Sequence, residues 1–258
     1  MLGQFHMNET TGALTWNTMP LDQIPPATLA AVRSLSQGQY PKVVSIQLSA
    51  AVSGTWKYIA SNPANAVAIL TQAMQGGYGF HGVDLDPEPV GTVGLKLLYD
   101  FTLLLGPAAR NAGFHLSHVP VPFDQNYFPT IYTRTYWSSM APYVEWVTPQ
   151  WYGLTGDQLV AAFTQFVNTT GIPPNVVVAG QQTFPSSSPL DLDLLERAVR
   201  RLNVTYSGNW GGVGMWAYPL PTNPNWSSII RAALDGRTEE ETAAVAATDA
   251  ERTPVPVS

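Results

Sequence analysis

The feature that most constrains this chain is an alternation of two kinds of segment. Short runs rich in β-branched residues take turns with longer stretches whose apolar positions recur at helical spacing. "LGQFHM" near the start, "KVVSIQL" at 42–48, "GVDLD" at 82–86 and "FHLSHVPV" at 114–121 read as strands. So do "VEWVTPQWY" at 144–152, "NVVVAGQQ" at 175–182 and "GVGMWAYPL" at 212–220. Between them "NPANAVAILTQAMQGG", "TVGLKLLYDFTLLLGPAARNAG", "TGDQLVAAFTQFVNTTG" and "PLDLDLLERAVRRLN" read as helices, with Thr155 and Ser188 near the N-caps of the last two. Alternation of this kind implies βα units, right-handed crossovers and a parallel sheet covered by helices. About seven units are recognisable, and a closed (β/α)8 barrel of the TIM type needs eight. The expectation is therefore such a barrel, either lacking its first strand or carrying an atypical one. At 258 residues, one domain over residues 1–238 suffices. The acidic, Pro-ended segment 239–258 is expected to be a flexible tail.

Composition removes several function classes. The net charge is −6 and no basic run occurs, whereas binding nucleic acid requires clustered Lys or Arg. No apolar run reaches the length of a membrane span. With no cysteine there is neither a disulfide framework nor a thiolate metal site. Asn8, Asn168, Asn203 and Asn225 open Asn-x-Ser/Thr sequons, a weak pointer to secretion among twelve asparagines. The start, "MLGQFHMNETTG", has no basic and apolar leader. The expectation is a secreted protein whose signal peptide is absent from this chain, with an intracellular location as the other possibility.

Only 12% of the residues are charged, yet "GFHGVDLDPEPV" at 79–90 gathers Asp84, Asp86 and Glu88 within five positions. On a strand, side chains at i, i+2 and i+4 share a face. The three acids would point one way, with Val83 and Leu85 packed the other way against helices. Glu88 would stand at the carboxyl end, where parallel barrels keep their active sites. Crowding three carboxylates in a partly dry place disfavours full ionisation, so at least one is expected to hold a proton near neutral pH, as a general acid must. Other uses of these acids are an exposed acidic turn bounded by Pro87 and Pro89, or a Mg²⁺ or Ca²⁺ site. The second lacks a companion ligand cluster. A phosphotransfer loop lacks a glycine-rich cradle.

"GFHGVDLDPEP" resembles the DGxDxDxE signature on the fourth strand of glycoside hydrolase family 18, which includes chitinases and endo-β-N-acetylglucosaminidases. Further segments follow in the family's order. "KVVSIQLSAAVSGTW" is similar to the third-strand SxGG region, with Ala50 and Ala51 at the glycine positions. "VEWVTPQWYG" is similar to the sixth-strand motif, and "GVGMWAY" to the eighth strand with its floor tryptophan. The resemblance runs from about residue 3 to 236, and the acidic motif is its specific part.

It implies hydrolysis of β-1,4-linked N-acetylglucosamine polymers by a retaining, substrate-assisted route with no cofactor or metal. Glu88 would protonate the glycosidic oxygen, and Asp86 would hold the acetamido group whose oxygen attacks the anomeric carbon. Asp84 would share a proton with Asp86. Tyr152 would donate to the acetamido oxygen, Gln150 would line the pocket and Trp216 would stack beneath the sugar. Trp151 is counted with the substrate-binding residues, while Trp137 and Trp146 either stack on sugar or fill the wall. His115 and His118 are expected on one side of their strand, one of them lining the pocket, since two histidines without a third ligand make no metal site.

Three positions depart from the family pattern. His81 replaces its first aspartate and is expected to be structural, with a hydrogen bond to Asp84 within its reach. Gly153 stands where Asn or Asp usually contacts substrate, and Pro87 stands beside the acid. A non-catalytic carbohydrate-binding or inhibitor protein on the same fold is the alternative, because fold does not fix activity. Chitin versus N-glycan substrate, endo versus exo action and oligomeric state are not legible in the sequence.

Overall fold

A computed structural model describes residues 2–37, 43–49, 54–87, 92–121, 132–154, 156–182, 191–216 and 226–236. By packing, the chain divides into two compact units, Met1–Pro149 and Gln150–Ser258. The expected tail, 239–258, lies outside the described residues, as do Thr155 and Ser188.

The first unit holds strands β1 (Leu2–Met7), β2 (Leu14–Trp16), β3 (Met19–Pro20), β4 (Ser45–Ser49), β5 (Gly82–Asp86), β6 (His115–His118) and β7 (Trp146–Val147). Its helices are α1 (Pro26–Gln37), α2 (Gly54–Ser61), α3 (Pro63–Gln75), α4 (Thr92–Ala112) and α5 (Arg134–Met140). The strands form one sheet in the order β3-β2-β1-β4-β5-β6-β7. Pairing from β1 through β4, β5 and β6 to β7 is parallel throughout. Parallel neighbours cannot be joined by a tight turn, and helices supply the crossovers. The other edge of β1 is taken by antiparallel β2, which turns into β3. Among the described residues no parallel strand precedes β1.

The pleat sorts side chains by chemistry. Ile46, Val83 and Leu116 stand level on one face, followed by Leu48, Leu85 and His118, and all six are essentially inaccessible to water. On the other face Ser45, Gly82 and His115 are level, then Gln47, Asp84 and Ser117, and Asp86 follows on β5. Trp146 of β7 is level with Ser117 and extends that middle row. His115 and His118 are three residues apart and thus on opposite faces, which corrects the expectation that they share a side. His115 binds Glu145 at the half-exposed end of the polar face, at 2.6 Å, and His118 is fully buried on the apolar face.

The second unit begins with a bridge between Gln150 and Gly180. It holds α6 (Gly156–Thr170), β8 (Ala179–Gln182), α7 (Leu192–Thr205), β9 (Val213–Trp216) and α8 (Trp226–Leu234), with β8 and β9 parallel. Helix α6 buries Leu159, Phe163 and Phe166, and α7 buries Leu195, Ala198, Val199 and Leu202, each a stripe at helical spacing. Asp191 caps α7 by accepting the Leu194 N–H at 3.0 Å, a place the sequence reading had given to the neighbourhood of Ser188.

Gly82 fixes the spacing of the first unit's central strands. A Cβ there would lie 2.8 Å from the His115 carbonyl oxygen and 2.8 Å from Ser45 Oγ. Gly82→Ala must push β4 or β6 away from β5, and is expected to lower unfolding free energy by about 1–3 kcal/mol in urea titration. An unchanged midpoint would show that the sheet is looser at this row.

Candidate functional site

Asp84 and Asp86 stand two residues apart on the polar face of β5, and their surroundings differ. Asp84 is 0% exposed and accepts a hydrogen bond on Oδ1 from Ser117 Oγ. Its Oδ2 is buried with no hydrogen-bond partner among the described residues. Burial pushes the Asp84 carboxyl up from 3.8 to about 6, against the opposing pull of the Ser117 hydroxyl. Asp86 is 5% exposed, and its Oδ2 accepts from Gln47 Nε2 at 3.1 Å. Asp84 is thus the carboxyl of this strand whose proton affinity burial raises. Sequence reasoning missed Gln47 and Ser117. Their signal was present as polar residues at alternate positions of otherwise apolar strands, "SIQLS" and "HLSH", but only the register sets them beside Asp84.

Behind the apolar face runs a fixed chain of hydrogen bonds. Thr102 Oγ1 of α4 donates to the Leu98 carbonyl at 2.7 Å, so toward His118 Nε2, 3.0 Å away, it can only accept. His118 therefore carries its proton on Nε2, and its bare Nδ1 accepts from the Tyr132 hydroxyl at 3.1 Å. Burial drives His118 down from 6.5 to about 3, so the ring is neutral at ordinary pH. Burial, with the Asp84 charge as a smaller cause, pushes the Tyr132 phenol up.

His81, expected to be structural, makes no hydrogen bond to Asp84 through its Nδ1. Among the described residues its buried Nδ1 has no hydrogen-bond partner, while Asp84 is served by Ser117. The His81 backbone continues the sheet, with its N–H donating to Val44 O and its carbonyl accepting from His115 N–H. Pro87 is buried directly after β5. Glu88 lies outside the described residues.

The remaining candidates belong to the second unit. Gln150, 6% exposed, is bridged to Gly180, and Gly180 is level with Gly214 of β9. One step further along, half-buried Gln182 is level with Trp216, whose backbone ends β9 and whose side chain lies outside the described set. Trp151, expected among the substrate-binding residues, packs on aromatic rings of α6. It is 2% exposed, and its ring lies against Phe163 at 5.7 Å and edge-on to Phe166 at 5.6 Å. Its carbonyl accepts from the fully buried Gln181 amide at 3.1 Å. Tyr152 is half-buried in the turn that follows, closed by Leu154 N–H to Trp151 O. Gly153 holds φ +77 with nothing within 4 Å of a Cβ position, so this turn uses glycine for its backbone. Trp137 is buried in α5, and Trp146 is half-buried beside His115, with ring centroids 6.2 Å apart. Among the described residues no three His, Asp or Glu gather as metal ligands would.

With the fold and these positions in hand, comparison with solved structures is decisive for the architecture. The chain matches a fungal endo-β-N-acetylglucosaminidase from glycosyl hydrolase family 18 with a TM-score of 0.68 and 20% identity, over 91% of this chain and 86% of that one. The chain has the glycoside hydrolase family 18 fold. A chitinase from Aspergillus fumigatus matches at TM-score 0.61 and 21% identity, covering 92% and 87% of the two chains. Catalytic domain 2 of the Group II chitinase of Ostrinia furnacalis, a mutant in complex with (NAG)5, matches at 0.66 and 13% identity, covering 92% and 88%. No family model matches the sequence, and no curated protein matches it. The family 18 fold is of the TIM-barrel type, as the alternation of segments implied.

The opposed shifts of Asp84 and His118 make a stability prediction. Folding raises the affinity of Asp84 for its proton, so its contribution is intact below 3.8 and is lost as pH climbs to about 6. Folding lowers the affinity of His118, which costs stability as pH falls from 6.5 toward 3. The two slopes oppose each other between pH 4 and 6. Asp84→Asn removes one of them, so the variant's stability relative to the parent should improve by about 2 kcal/mol between pH 4 and pH 7 in urea unfolding. A difference that stays constant with pH would contradict the raised carboxyl.

Proposed function

We propose that this protein is a retaining glycoside hydrolase that cleaves β-1,4 linkages between N-acetylglucosamine units, in chitin or chito-oligosaccharides. The observation that carries the reading is the pair Asp84 and Asp86, held side by side on the polar face of β5 in a chain with the family 18 fold. Asp86 is the acetamido positioner. Once its carboxylate orients the amide, the substrate's own carbonyl oxygen is the nucleophile and an oxazolinium ion forms. Asp84, proton-bearing up to about pH 6, buffers the charge on Asp86 as the acetamido group draws on it. Glu88 protonates the departing oxygen and then activates water, so two successive displacements retain the anomeric configuration. Substrate assistance sets this route apart from the usual pair of protein carboxylates. The resemblance assigns Gln150 and Tyr152 to the acetamido end and Trp216 to the sugar face, roles carried over residue by residue from the family's motifs.

The same reading places the protein where such polymers lie, outside the cell. Asn8 and Asn168 are exposed sequon positions compatible with that location, whereas the Asn203 amide is engaged with the Leu234 carbonyl at 3.1 Å.

A carbohydrate-binding role without catalysis is favoured by one observation, a buried His81 Nδ1 with no hydrogen-bond partner among the described residues, where the family's relay would continue. Kinetics with a chromogenic chitobioside, run beside calorimetric binding of chito-oligosaccharide, separates the two. The parent is expected to turn over, and Glu88→Gln and Asp86→Asn are expected to lower kcat about a hundredfold or more with the thermal midpoint kept. Binding without turnover in the parent would select the lectin-like role.

A further inference from the structure

The two aspartates of β5 are served by donors of different character. Ser117, level with Asp84 in register, offers a hydroxyl, which can donate to a carboxylate or accept from a carboxylic acid. It is compatible with either state of Asp84. Gln47 is also level with Asp84, yet its side chain passes that residue and donates Nε2–H to Oδ2 of Asp86 at 3.1 Å. An amide N–H only donates, so this contact favours the ionised form of Asp86. Gln47 is itself 3% exposed in the interior of β4, so the bond is shielded from competing water.

We propose that Gln47 is a positioning residue for this centre, pinning the Asp86 carboxylate in one orientation and leaving the proton of the pair on Asp84. The proposal deepens the hydrolase reading, since Asp86 is the group that would receive the acetamido moiety. Three features converge on it. The donor bond reaches Asp86, Asp84 keeps a buried Oδ2 without a hydrogen-bond partner among the described residues, and no comparable amide reaches Asp84 there. Other titratable groups bear on the pair. His6 stands on the polar face of β1, one residue beyond the Phe5–Leu48 pairing. Tyr132 feels the Asp84 charge. His118 is buried on the opposite face, and Glu88 follows two residues after Asp86 in sequence. None of these supplies the amide donor that Gln47 does.

The test is ¹³C-carboxyl NMR titration of aspartate-labelled protein, with the Asp86 signal assigned through Asp86→Asn. In the parent, Asp86 is expected to titrate below Asp84. Gln47→Met keeps the length of the side chain and removes the donor, and should raise the Asp86 midpoint by about one to two pH units. Gln47→Glu, a second variant of the same shape, should move it the same way by adding a neighbouring carboxyl. The acidic limb of the pH–rate profile should follow the Asp86 midpoint, a response that a purely structural role would not give. An Asp86 midpoint that stays put in either folded variant overturns the proposal. If the midpoint moves but the parent hydrolyses no chito-oligosaccharide, Gln47 keeps its role while the hydrolase reading falls. Turnover with an unmoved midpoint gives the opposite result.

Discussion

One row of side chains across parallel strands, Gln47, Asp84 and Ser117, is the constraint from which the rest of the first unit follows. A carboxyl at 0% exposure is costly to ionise, and the sheet can hold it only because hydrogen-bonding neighbours share its face. The opposite face is correspondingly apolar, with Ile46, Leu48, Val83, Leu85 and Leu116 shut away from water. The period of two that separates these faces therefore builds both the core and the chemistry. A slip of one residue in β5 would bury Asp84 against the helices and expose Leu85 to the polar side. Gly82 guards against a related fault by letting β4 and β6 approach β5 closely.

The same row explains why two carboxyls so near in sequence are not equivalent. Asp84 lies deeper, has one adaptable donor and retains its proton to about pH 6. Asp86 lies at the strand's carboxyl end and has an amide donor directed at it. Separation of proton affinities between neighbouring acids is the usual way that one site supplies acid and anion together. His118, on the far face, is kept neutral by burial and locked in one tautomer by Thr102, and it fixes Tyr132 without adding charge near the pair.

What could be read from the sequence was local. β5 with Asp84 and Asp86, α3, α4 and α6 follow from periodicities that lie within one segment, and the structure places them close to the expected bounds. The partners of the acids were not legible, because Gln47 and Ser117 meet Asp84 and Asp86 only through register, a property of strands distant in sequence. Trp151 shows the same limit. Its neighbour Tyr152 emerges half-buried in a turn, whereas the indole meets Phe163 and Phe166, and nothing within "PQWYG" tells the two orientations apart. Helices α1, α2, α5 and α8 went unread, three of them being under ten residues and too short to show a period. The pairing of His115 with His118 failed on arithmetic, since a separation of three reverses the face.

The most direct measurement of the central claim is the anomeric form of the first product released from chitopentaose, followed by ¹H NMR before mutarotation sets in. A centre in which the substrate's acetamido group attacks from the face opposite the leaving group, and water then enters from the original side, yields the β anomer first. Initial release of the α anomer would contradict the assignment of Asp84 and Asp86, and with it the reading of the polar face of β5 as a substrate-assisted hydrolytic centre.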